Sequence, residues 1–179
     1  LESEFTYSSG DVMFWAGGLL QRQTDTSLDE SATSAGVSGG LEYSSDVFSL
    51  TGSGYYGTGI GTTLIFAGAR SSNFVGEDRS TELRPSYGFI GQATVTPEGS
   101  DVTLGGSYGI STLEAADDEP SDFKTSNQSI TGGVYVQATE SLMVVGEGTY
   151  QWTSGETATL TDLENNTSIA VSGGLMLFF

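Results

Sequence analysis

Arg70, Arg79 and Arg84, three of only five basic residues, lie with Glu77 and Asp78 in or beside a polar stretch at about 58–81. A guanidinium presents a planar fork of donors that fits a carboxylate through two parallel hydrogen bonds, so these arginines could select small anionic solutes. They could equally pair with the acids beside them on a loop surface. A second set of polar residues is scattered along the chain: Glu42, Tyr55, Gln92, Tyr135, Gln137, Glu147 and Gln151. Carboxylates, amides and phenols of this kind bind or pass hydrated solutes when they line a common cavity.

Other chemistries are excluded by what the chain lacks. Histidine and cysteine are both absent. That removes the Ser-His-Asp triad, thiolate catalysis, disulfides and the usual zinc sites, so no enzyme, cofactor or metal is expected. Asp117, Asp118, Glu119 and Asp122 lack the spacing and turn glycine of an EF-hand and read as a solvated loop. The run Gly57-Thr58-Gly59-Ile60-Gly61 has no following Gly-Lys-Ser/Thr, so its glycines read as turn chemistry. Asp and Glu outnumber Lys and Arg by 23 to 5, a formal charge of −18, which repels nucleic acid.

The elements that would position these groups are strands. Near the C-terminus Ile169, Val171, Leu175, Leu177 and Phe179 share one parity, and Ser168, Ala170, Ser172 and Gly174 share the other. Alternate side chains in a strand point to opposite faces, so one face of the sheet is apolar and the other polar. The same alternation sets Ile130, Val134 and Val136 against Ser129, Thr131, Tyr135 and Gln137, and Leu142, Val144, Tyr150 and Trp152 against Met143, Glu147, Thr149 and Gln151. It predicts eight strands at about 12–24, 32–44, 46–57, 82–96, 101–113, 125–139, 141–153 and 167–179, with a partial ninth at 2–9.

Connections alternate in length. Short joints fall near Gly10-Asp11, Ser45-Asp46, 97–100 and Glu140-Ser141, and long polar ones at about 25–31, 58–81, 114–124 and 154–166. A transmembrane barrel segregates tight turns to one end and long loops to the other. Tyr150 and Trp152 precede a long loop while Phe178 and Phe179 sit at the opposite strand end, as two interfacial girdles require. No run approaches the roughly 20 apolar residues of a membrane helix, so only a closed barrel could cross. The expected fold is all-β, an antiparallel transmembrane β-barrel with residues 1–179 as a single barrel domain or barrel fragment. Since bacterial barrels have even strand numbers, the odd total predicts the C-terminal part of a larger barrel.

Tyr55-Tyr56-Gly57-Thr58-Gly59-Ile60-Gly61, and Ser107-Tyr108-Gly109-Ile110-Ser111 together with the closing aromatic strand, resemble the large porins of Gram-negative bacteria, specifically the DcaP-like group. The resemblance spans most of residues 47–179. It implies trimers of roughly 16-stranded barrels in the outer membrane, in contact with its lipid and lipopolysaccharide. Passive diffusion of small hydrophilic solutes or ions through a water-filled lumen is the implied function. In such proteins a long loop folds inward, which makes 58–81 a candidate constriction carrying Arg70, Glu77, Asp78, Arg79 and Arg84. A small closed outer-membrane barrel with a structural or adhesin role is the alternative, its interior filled by Trp15, Leu19 and Tyr135. A soluble β-sandwich binding module is the third.

Overall fold

Period-two polarity forbids a helix from burying one stripe, and strands account for the regular structure. The computed structural model describes residues 1–25, 30–60, 74–75, 82–116, 124–156 and 166–179. Its strands are β1 (Glu2–Ser9), β2 (Val12–Asp25), β3 (Glu30–Ser44), β4 (Phe48–Thr58), β5 (Phe74–Val75), β6 (Glu82–Leu83), β7 (Pro85–Val95), β8 (Val102–Glu114), β9 (Lys124–Thr139), β10 (Leu142–Glu156) and β11 (Asn166–Leu177). Nine of them form one sheet in the order β1-β2-β3-β4-β7-β8-β9-β10-β11, every joint antiparallel, and among the described residues β5 pairs only with β6. The sheet is a meander that does not close on itself. After eight antiparallel joints, its two edges, β1 and β11, run in the same sense.

Local chemistry sets the element ends. Ser45 closes the β3–β4 turn: its N–H donates to the Phe48 carbonyl at 2.8 Å, and its Oγ accepts the Phe48 N–H at 3.1 Å. This delays β4 to Phe48 rather than residue 46. Pairing of β2 with β3 runs out to Asp25 and Glu30, so the connection there shrinks to 26–29 and is shorter than the expected 25–31. The expected strand at 82–96 is broken. Leu83 pairs with Phe74, the Arg84 carbonyl accepts the Gly59 N–H at 3.0 Å, and β7 begins at Pro85, a residue suited to a first strand position because it has no N–H to give a ladder.

The two faces differ as the alternation demands. On the apolar face, Val37 is 62%, Leu50 55%, Leu104 53% and Ile130 52% exposed, with Phe89, Val134, Val144 and Val171 also open. Monomeric soluble proteins rarely leave so continuous an apolar surface in water. Among the described residues no second large sheet covers it, which removes the sandwich reading. The buried residues are few, and several are polar: Ser34, Ser86, Ser111 and Asn127 lie on the polar face near its loop end, with Tyr55 and Leu113. The polar face is therefore open toward the short turns and covered toward the long connections.

Candidate functional site

Seven sequence-expected residues fall on the polar face by register: Glu42 on β3, Tyr55 on β4, Gln92 on β7, Tyr135 and Gln137 on β9, Glu147 and Gln151 on β10. Hydroxyl pairs knit adjacent strands between them. Ser49 and Thr94 Oγ atoms are 2.7 Å apart, Thr96 and Thr103 2.7 Å, and Thr131 and Thr149 2.9 Å. Gln151 Oε1 accepts from Ser168 Oγ at 3.2 Å, and Gln137 Nε2 donates to the Thr139 carbonyl at 2.7 Å. Such pairs satisfy polar groups along the wall and leave a low, hydrophilic surface.

The large aromatic side chains on this face lie over glycines. A Cβ built on Gly40 would fall inside the Trp15 ring, and one on Gly133 would meet Tyr135 ring and hydroxyl atoms at 2.8–3.0 Å. Tyr55 crosses Gly88, where a Cβ would meet its ring at 2.5 Å, and its Oη reaches Ser111 Oγ at 2.5 Å, two strands away from β4. Trp15 and Tyr135 therefore pack along the wall instead of projecting from it, contrary to the expectation that they fill an interior. Parity assigns a side chain to a face but says nothing of its χ angles, and the opposing glycine supplies the groove it occupies.

Tyr135 also fixes a charge. Its Oη donates to Glu147 Oε1 at 2.6 Å, a short bond of the kind formed with an ionised acceptor. Tyr135→Phe should lower stability by about 1 kcal/mol and release the Glu147 carboxylate from this position. Urea unfolding followed by tryptophan fluorescence measures the first effect.

The arginines are less fully placed. Arg70, Glu77, Asp78 and Arg79 lie outside the described residues. Arg84 is buried, 9% exposed, at the loop end of the wall. It shares this corner with the roots of the 58–81 connection. Gly59 has φ +72°, a left-handed conformation that glycine adopts without a Cβ clash, and a Cβ there would meet Ser34 Oγ at 2.5 Å and Leu83 Cδ1 at 2.6 Å. Ile60 sits over Gly36 and Gly57, and β6 lies against β3. Both described roots of that connection are thus on the polar face.

Some partners escaped the sequence reading. Ser111, Gly88 and Asn127 accompany Tyr55 at the covered end: Asn127 Oδ1 accepts from Thr153 Oγ1 at 2.8 Å, while Asn127 Nδ2 and Ser86 Oγ are buried without a hydrogen-bond partner among the described residues. A glycine opposite Trp15 and Tyr55, and one two residues before Tyr135 on its own strand, was the available signal. On the apolar face near the loops, Lys124 Nζ lies 3.0 Å from Glu114 Oε1 and 3.1 Å from Tyr87 Oη. Glu114 and Lys124 face each other across the β8–β9 ladder, which sequence spacing alone did not reveal.

An amphipathic meander with a polar, groove-packed face matches a known architecture. The chain superposes on the outer membrane channel DcaP of Acinetobacter baumannii with a TM-score of 0.72, at 15% sequence identity over 98% of its length. The fold is DcaP-like. The chain spans about half of that channel, 49% of its length. No protein-family model and no curated protein matches the sequence.

Proposed function

We propose that the chain forms the wall of a porin-type channel in the outer membrane, through which small hydrophilic solutes or ions pass by diffusion. The observation that carries this reading is the pairing of an exposed apolar face with a polar face whose aromatics lie over glycines. The first asks for lipid, and the second leaves room for water. Similarity to an outer membrane channel supports the same reading. The finer features belong to the proposal as well: an outer membrane of a Gram-negative bacterium, lipid and lipopolysaccharide against the apolar belt, assembly as a trimer, and no catalytic step.

The buried position of Arg84 limits the guanidinium surface it offers to a passing solute. Anion recognition by a forked guanidinium therefore does not enter this reading as a requirement. Reconstitution of the full chain into planar bilayers should give discrete conductance steps and, in liposomes, entry of small sugars. A chain that stays in solution without detergent and gives no conductance would overturn the proposal.

A further inference from the structure

The charges divide along the barrel axis. The three described basic residues belong to the loop end: Arg22 late in β2, Arg84 just before β7, and Lys124 at the start of β9. The four short turns carry Asp11, Asp46, Glu98, Asp101 and Glu140 and no base. On the open, turn-side half of the polar wall stand Glu42 and Glu147, again with no base among the described residues.

Separation decides whether the distant bases neutralise these acids. Glu147 pairs with Gly133, nine residues along β9 from Lys124, and at about 3.3 Å per residue the two charges stand roughly 30 Å apart. Glu42 pairs with Thr51, seven residues along β4 from Thr58, which pairs with Pro85 beside Arg84, so that separation is about 23 Å. Both exceed twice the screening length of about 10 Å at 0.1 M salt. Glu42 and Glu147 are also five strand spacings apart, about 24 Å along the sheet, so they form no chelating cluster. They act as fixed charges on a wall. Glu147 is held in place by Tyr135.

We propose that the turn-side half of the lumen is a cation-selecting vestibule in which Glu42 and Glu147 raise the local concentration of hydrated cations and exclude anions. The inference rests on the channel reading above and names the class of permeant. Charged walls act on ions within a screening length, so selectivity is strong in dilute salt and fades in concentrated salt.

The test is the reversal potential of the full-length chain in planar bilayers under a KCl gradient centred near 0.1 M. The potential should take the sign for potassium, with a potassium-to-chloride permeability ratio well above one. The Glu42→Gln/Glu147→Gln variant should lower the ratio about threefold while keeping the unfolding midpoint, because a glutamine carbonyl still accepts the Tyr135 hydroxyl. In the parent protein, raising the salt to about 1 M should lower the ratio as the wall charges are screened, a readout that needs no variant to fold. Conductance with chloride preference, or a ratio unmoved by both the variant and concentrated salt, would overturn the vestibule and leave the channel standing. No conductance at all would remove the channel reading and the vestibule with it.

Discussion

Arginine in place of Ile130 should cost about 2–4 kcal/mol of stability in a bilayer, whereas arginine in place of its neighbour Ser129 should cost under about 1 kcal/mol. The two positions differ by one residue on β9 and by the face they occupy. Ile130 is 52% exposed on the apolar face and is flanked by Tyr108 on β8 and Tyr150 on β10, so a guanidinium there must be taken out of water into hydrocarbon. Ser129 lies on the polar face between Gly109 and Gln151, where the long side chain keeps its head in water. Urea unfolding of both variants in lipid vesicles checks the difference. Equal costs would mean that the apolar face does not meet lipid.

Gly88→Ala should cost about 2–3 kcal/mol, a large penalty for one methyl group. The new Cβ would stand 2.5 Å from the Tyr55 ring and 2.8 Å from the Ile110 carbonyl oxygen. The ring can swing away, but the carbonyl belongs to the neighbouring strand's backbone and cannot move without disturbing the β7–β8 ladder. Swinging the ring also breaks the Tyr55–Ser111 hydrogen bond and leaves the fully buried Ser111 hydroxyl to find another partner. The side chain then projects from the polar face. Single-channel conductance should fall with stability, whereas Tyr55→Phe, which loses the hydrogen bond and keeps the ring in its groove, should lower stability by about 1 kcal/mol and leave conductance near that of the parent. Gly88→Ala with both quantities unchanged would contradict the packing described for this wall.

The strands were legible because a sheet apolar on one face and polar on the other imposes the simplest of patterns. Leu142, Val144, Tyr150 and Trp152 against Met143, Glu147, Thr149 and Gln151 place β10 on the sheet with both faces assigned, and the observed ladder with β9 and β11 follows that parity. Period two fails where the chain leaves the ladder. The β5–β6 pair is two residues long on each side, too short to carry a period, and the break at Arg84 depends on a carbonyl committed to Gly59, more than twenty residues earlier.

The wall residues were legible by the same rule, since Glu42, Gln92, Tyr135 and Glu147 needed only a parity. How they sit was not. The Tyr135 bond to Glu147 joins two strands, and Tyr55 passes over a third to reach Ser111, so each depends on lateral order as well as on facing direction. The arginine hypothesis had least to stand on, because loop residues follow no period and Arg84, the one described member, is buried beside a turn.

Because β1 and β11 point the same way, the rim-to-rim gap obeys an odd-number rule. A seam made wholly of antiparallel neighbours accepts one, three, five or seven intervening strands and rejects two, four or six. A twin of this sheet inserted upright beside it would contribute nine, an odd number, yet its first strand would repeat the direction of β1 and so lie parallel to β11. Satisfying the rule therefore requires intervening strands that begin with the opposite heading, a polarity that an upright duplicate cannot provide.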